Sequence, residues 1–333
     1  MKQRNSNPCR RRMLMLAVAA TGLLVGCFPS GGFLIKPVSA NRDLDETVLT
    51  ADSRWAAAKI ALIDVDGILM NRNKPELLGD GEHPVSLLLE QLDKARRDPR
   101  VKGVLLRINS PGGSVTASEL MHEEIMHFRK SGKPVVAVMT DVAASGGYYI
   151  ACACDRILAH RSSVTGSIGV IMQLFDVTGT MAKLGVSGEA ITSGRNKAGG
   201  SPFTPLTDEQ RAIFQGVVDE LYDRFVTVVA EGRPDLDEAR VRELADGRIY
   251  TAQQALDVGL IDGITTMRQA IADLKRQVGE KRIKVVAYHR PLGYKPNYYA
   301  QRPAGRGDTN LLNIDLSGWP QRIAPRFMYL WSP

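Results

Sequence analysis

The middle of the chain alternates two hydrophobic patterns. Residues 59–65, 101–109 and 134–140 are short, nearly continuous apolar runs, the pattern of buried strands. Between them, residues 84–97 place Leu87, Leu88, Leu92 and Ala95 along one side of an amphipathic helix, and residues 114–129 form a second helix. A short helix over 145–154 and a strand over 156–159 follow. Thr207 caps a long helix that runs to about Gly232, with Ile213, Val217, Leu221, Phe225 and Val228 spaced by three and four, a stripe for the core or a subunit contact. Residues 237–245, 252–258 and 267–278 complete the helices. This order predicts an α/β fold with parallel strands joined by right-handed crossovers. No internal repeat is visible.

The ends break the pattern. Lys2, Arg4, Arg10, Arg11 and Arg12 precede an apolar run over 13–25, and Leu24-Val25-Gly26-Cys27 follows, so residues 1–26 read as a lipoprotein signal peptide and Cys27 as the lipidated N-terminus. The apolar run has 13 residues, short against the roughly 20 of a spanning helix. Residues 27–55 read as a lipidated start and flexible spacer, 56–289 as the one folded domain, and 290–333 as a Pro-, Gly- and Arg-rich tail without an assigned role. The domain is therefore expected outside the cytoplasm, attached to a membrane through Cys27.

Charge narrows the partners. The net charge of +7 divides into +5 in the signal and +4 after His289, which leaves −2 for the body and no footprint for nucleic acid. Cys152 and Cys154 stand one residue apart on a predicted helix, point to different faces and read as small buried side chains rather than a disulfide.

Candidate chemistry gathers at three loops. Ser145 sits between small residues in Ala143-Ala144-Ser145-Gly146-Gly147-Tyr148-Tyr149, where a strand turns into a helix. Bare backbone amides in Ser110-Pro111-Gly112-Gly113 can hold an oxyanion. Thr192-Ser193-Gly194-Arg195-Asn196-Lys197 offers a lysine, and none of the three segments contains histidine, so a Ser-Lys dyad is the leading hypothesis. A lysine titrates near 10.4 in water and acts as base at neutral pH only where burial disfavours its ammonium, so Lys197 is expected to be partly desolvated beside a hydroxyl.

These segments resemble the signal peptide peptidase A family of Ser-Lys serine peptidases, within the Clp-peptidase and crotonase fold group. The likeness covers about 59–264 and includes Thr165-Gly166-Ser167-Ile168-Gly169 and the stretch from Gly247 to Asp262. It implies a repeated β-β-α superhelix with one catalytic domain. It also implies Ser145 as nucleophile, Lys197 as general base, Ser167 as the hydroxyl that orients the lysine, and the amides of Gly113 and Gly146 as oxyanion donors. The single copy of each motif resembles the short form of the family, a homo-oligomeric ring in which the lysine facing a serine comes from the adjacent subunit. The implied substrates are hydrophobic peptides such as cleaved signal peptides. No metal or organic cofactor is implied.

Other residues carry weaker cases. Ser110 suits a turn before Pro111. His122 and His127 are five apart rather than four, diverge on a helix and read as a solvated face rather than a zinc site. His160 lacks an orienting acid, and Asp64 and Asp141 read as strand-end or turn residues. Two other functions compete with the peptidase: a crotonase-like acyl-CoA enzyme, which export disfavours, and a non-catalytic lipoprotein scaffold.

Overall fold

The computed structural model describes residues 43–73, 75–76, 79–80, 82–289 and 327–331. The signal sequence, Cys27 and the tail over 290–326 lie outside the described residues. Strands are β1 Asp45–Ala51, β2 Ala58–Asp66, β3 Pro75–Glu76, β4 Gly79–Asp80, β5 Val101–Ser110, β6 Gly112–Ser114 and β7 Val135–Ala144. They continue as β8 Arg156–Ala159, β9 Val164–Gly166, β10 Ile171–Met172, β11 Ile249–Thr251, β12 Gly263–Ile264, β13 Ile283–His289 and β14 Phe327–Leu330. Helices are α1 Pro84–Arg97, α2 Val115–Arg129, α3 Gly146–Ala151, α4 Thr178–Lys183, α5 Asp208–Gly232, α6 Glu238–Leu244, α7 Ala252–Asp257 and α8 Met267–Gln277.

The main sheet has the order β1-β13-β2-β5-β7-β8-β12, and every pair from β13 to β12 is parallel. Its strands are apolar on both sides because both faces are covered. In β5, Val104, Leu106 and Ile108 enter one core with Met121 and Ile125 of α2, while Leu105 enters the other beside Ala270 and Leu274 of α8. Strand β7 divides its residues the same way: Val135, Ala137 and Met139 on one side, Val136 and Val138 on the other. The two-residue period thus makes three layers, helix on sheet on helix.

Several elements differ from the sequence reading. Strand β7 runs on to Ala144, four residues past its predicted end, because its partner changes: Met139 pairs with Ala159 of β8, whereas Val142–Ala144 pair with Val164–Gly166 of β9. Asp141 is exposed between the two pairings and interrupts the apolar run. Helix α3 is correspondingly shorter than predicted, starting after Ser145 and ending at Ala151. Residues 45–51, read as spacer, form the exposed edge strand β1, antiparallel to β13. The stripe on α5 splits: Phe225 and Val228 are buried, but Ile213 and Val217 are exposed.

The tail carries the largest difference. Strand β14 makes a small antiparallel sheet of order β10-β14-β6. It brings Tyr329, fully buried, into the main core.

Candidate functional site

Three chain turns meet at the end of β7. Ser145 follows the strand and takes φ 52° and ψ −118°, a backbone state that costs a non-glycine residue about 1–3 kcal/mol and survives only where the surroundings enforce it. The enforcement is visible in hydrogen bonds: Ser145 N donates to Gly166 O at 2.7 Å, and Tyr149 N donates to Ser145 O at 2.9 Å. Ser145 is 1% exposed, and its Oγ has no hydrogen-bond partner among the described residues. A buried hydroxyl left unpaired costs about 1–3 kcal/mol, so its presence at a strained strand-helix junction is the mark of a site rather than of a cap. Ser145 makes no side-chain cap to α3.

Ser167 is held in parallel fashion. Strands β7 and β9 are in register at Ala144 and Gly166, so the residues that follow, Ser145 and Ser167, leave the sheet side by side. Ser167 also takes positive φ, 48°, and is buried, with its N–H donating to Arg248 O at 2.7 Å. The serine proposed to orient the lysine therefore stands next to the proposed nucleophile.

The glycine turn closes the third side. Leu69 N donates to Gly112 O and Ser114 N donates to Leu69 O, both at 2.9 Å, which clamps the turn on one edge. A side chain at Gly113 would drive its Cβ to 2.0 Å from Leu69 O, and one at Gly146 would meet Ser118 Oγ at 2.4 Å. Gly112, at φ 96°, lies close enough that its Cβ would come within 2.6 Å of Gly146 N. The turn and the start of α3 thus bring the Gly113 and Gly146 segments together, and Gly146 N–H opens at the helix start, where negative charge is favoured. Ser110 is a turn residue, its Oγ donating to Gly67 O at 2.7 Å and accepting from Gly112 N at 3.1 Å.

Lys197 is not part of this constellation within one chain. It lies in an exposed turn, its N–H bonded to Gly194 O at 3.0 Å, and the burial expected of a catalytic lysine is missing in the single chain. The turn is nevertheless anchored to the start of α5: Gln210 Nε2 donates to Arg195 O at 3.2 Å, and Asn196 Nδ2 donates to Glu209 at 3.0 Å.

The rival candidates disperse. His160 is exposed and bonded to Ser162 Oγ, and Asp64 is paired with Arg107 at 2.7 Å. His127 is exposed, but His122 is not the solvated residue expected: its ring packs edge-on against Tyr149 at 5.3 Å, and burial pushes its imidazole down to about 4. Cys152 and Cys154 are buried free thiols, and burial raises both, Cys152 to about 12, so neither is a reactive thiolate at neutral pH.

An aromatic cluster beside the serine escaped the sequence reading. Tyr149, one turn into α3, stacks on Tyr329 at 5.1 Å and meets Phe225 edge-on at 5.1 Å. The second tyrosine of the Gly-Gly-Tyr-Tyr string was its only sequence signal.

Comparison with known proteins bears on this arrangement. Residues 127–281, which hold Ser145, Ser167 and Lys197, match peptidase family S49. The chain is 39% identical over 219 residues to an Enterococcus faecium protein that carries the name of signal peptide peptidase SppA, covering 66% of this chain and 63% of that protein. It is 34% identical over 223 residues to protease 4 of Haemophilus influenzae, covering 67% of this chain but 35% of that one. The match therefore spans less than two thirds of either relative. A Methanocaldococcus jannaschii protein named as a protease is 38% identical over 223 residues, with 68% of its length covered. On that identity and coverage, the chain belongs to peptidase family S49.

Proposed function

We propose that this chain is a serine endopeptidase that hydrolyses hydrophobic peptides, cleaved signal peptides among them, through an acyl-enzyme on Ser145. The buried, unpartnered Ser145 Oγ on a strained elbow carries this reading. Ser145 Oγ attacks the scissile carbonyl while Lys197 accepts its proton. The developing oxyanion takes hydrogen bonds from the N–H groups of Gly113 and Gly146, and Lys197 returns the proton to the leaving amine. Water then hydrolyses the ester with the same lysine as base. Ser167 orients the lysine amine.

The base reaches Ser145 from an adjacent subunit of a ring. Exposure around the lysine supports this: Leu184 is 74% exposed and Ile191 98% exposed, and Ile213 and Val217 extend the apolar surface along α5. Large apolar side chains left in water at this density mark a protein contact. Covering them would desolvate Lys197 as the mechanism requires. The parallel sheet and its helices accord with a Clp-peptidase or crotonase-like superhelix. Attachment to the membrane through a lipidated Cys27 would set the enzyme beside lipid-borne peptides.

The reading is tested by incubating a synthetic signal peptide with wild type, Ser145→Ala and Lys197→Ala at matched oligomeric state. Cleavage by wild type and loss in both variants is the expected result. A folded, oligomeric wild type that neither cleaves the peptide nor reacts with a fluorophosphonate at Ser145 contradicts it and favours the scaffold.

A further inference from the structure

The pairing between β5 and β7 breaks just before the elbow. The two strands are in register up to Ile108 and Met139 and again at Ser110 and Ala143. Asn109 therefore faces three residues of β7: Thr140, Asp141 and Val142. This bulge coincides with the point where β7 leaves β8 for β9, three residues before Ser145. A bulge re-aims the chain that follows it, and its extra backbone groups need partners from outside the ladder.

Side chains supply those partners. Val142 N donates to Asn109 Oδ1 at 3.3 Å, and Asn109 Nδ2 donates to Asp66 Oδ1 at 3.0 Å. Thr140 Oγ1 donates to Ile108 O at 3.3 Å, and from the other flank Ser163 Oγ lies 3.0 Å from Met139 O and within hydrogen-bond reach of Thr140 O. The Asn109 main chain reaches the opposite way: its C=O accepts from Gly67 N at 2.9 Å, and the next residue, Ser110, binds Gly67 O through its Oγ. The glycine turn starts there, and the elbow packs against it so closely that a Cβ on Gly147 would stand 2.6 Å from Ser110 O. One residue thus joins the segment that carries Gly113 to the segment that carries Gly146.

Asparagine has the chemistry this junction needs. The Val142 N–H requires an acceptor and the Asp66 carboxylate requires a donor; a short amide offers one of each, and the two partners fix which way it faces. Asp64 and Arg107, in register and paired at 2.7 Å, form the preceding rung on the same face of β2 and β5. An aspartate in place of Asn109 would set two carboxylates against each other.

We propose that Asn109 is a positioning residue for the oxyanion site, its amide clamping the β7 bulge to Asp66 so that the N–H groups of Gly113 and Gly146 converge on one carbonyl oxygen. The proposal rests on Ser145 being the nucleophile and on those two donors. Asn109 touches neither the substrate nor the reacting atoms. Its effect falls on the transition state, because a tilted elbow weakens the hold on the developing oxyanion more than it weakens peptide binding.

The test measures kcat and KM on a synthetic signal peptide, fluorophosphonate labelling at Ser145 and the denaturant midpoint of the full chain. The proteins are wild type, Asn109→Asp, Asp66→Asn and the double exchange Asp66→Asn with Asn109→Asp. Asn109→Asp keeps the acceptor for Val142 but loses the donor to Asp66, so kcat should fall at least about tenfold with KM within about twofold, the cost of a small misplacement. Asp66→Asn keeps an acceptor for the Asn109 amide and should stay within about threefold of wild type. In the double exchange the amide and the carboxylate trade places, and kcat should return to within about threefold of wild type. Should Asn109→Asp fail to fold, Asp66→Leu removes only the anchor and should lower kcat at least about threefold, with faster amide exchange over 140–146. An Asn109→Asp or Asp66→Leu enzyme with unchanged kcat, beside a wild type that cleaves, overturns the role of Asn109 and leaves the peptidase reading standing. A loss that the double exchange does not recover, or one that enters kcat and KM alike in step with the denaturant midpoint, overturns it as well, since a merely structural contact does the same. A wild type that neither cleaves nor labels removes both readings.

Discussion

Ser145 stands at the end of a central strand with 1% of its surface exposed, its backbone strained and its neighbours tied by hydrogen bonds, whereas Lys197 stands in a run, 182–197, in which every residue is exposed. The two sides of the candidate site meet opposite requirements. An oxyanion site works when its donors are fixed before the reaction, and burial between β6, β7 and β9 does the fixing. A lysine base needs its desolvation from somewhere, and a single chain offers none at residue 197. The exposed apolar residues around it are what an adjoining subunit would cover. Assembly would then complete a site of which each chain preorganises only the serine side.

The difference between the two sides can be broken by substitution. Ser145→Ala should lower kcat by about 10³-fold or more at unchanged fold, the range found when a nucleophile is removed from a serine peptidase; steady-state cleavage with circular dichroism as the fold control measures it. Lys197→Ala should match that loss in activity yet leave stability within about 0.5 kcal/mol, because the residue is exposed. Denaturant unfolding of the dissociated chain checks the second half, and a large destabilisation would show that the lysine segment is structural. Gly113→Ala should damage both properties. Its Cβ meets the Leu69 backbone at 2.0 Å, and a displaced oxyanion donor costs about 10²–10³ in kcat.

A smaller effect separates the sides by pH. Burial, with a lesser contribution from Arg129, holds the His122 imidazole down at about 4 against 6.5 for a free side chain. A depressed histidine binds its proton more readily when unfolded, so stability is full above about pH 6.5 and falls as the pH drops toward 4. The loss should be on the order of 2–3 kcal/mol, and His122→Gln should flatten it. Because His122 packs on Tyr149, acid should loosen the serine side first, which hydrogen exchange of α3 against the 182–197 run would report.

Much of the scaffold was legible because burial on both faces writes continuous apolar runs into β2, β5 and β7, and because capping residues announce helices. Thr207 and Gln210 form the capping box that opens α5, at the predicted start. The elbow serine was legible through its small neighbours, which only close backbone approach requires. What stayed hidden depends on partners distant in sequence. Residues 142–144 look like a loop until β9 is present to pair with them. Residues 327–330 have no periodicity to read in four residues, and their strand exists because β6 and β10 present free edges. Lys197 was legible as a residue type in a motif; the burial expected of it was not, because its own neighbourhood in the single chain leaves it exposed.

The most direct measurement mixes the two inactive chains. Ser145→Ala and Lys197→Ala subunits, dissociated and reassembled together, should regain peptide cleavage, because mixed rings contain interfaces where an intact serine faces an intact lysine. Recovery of a substantial fraction of the wild-type rate, proportional to the mixed interfaces, is the predicted result. Verified mixed oligomers without any recovered activity would contradict a base supplied by the neighbouring subunit.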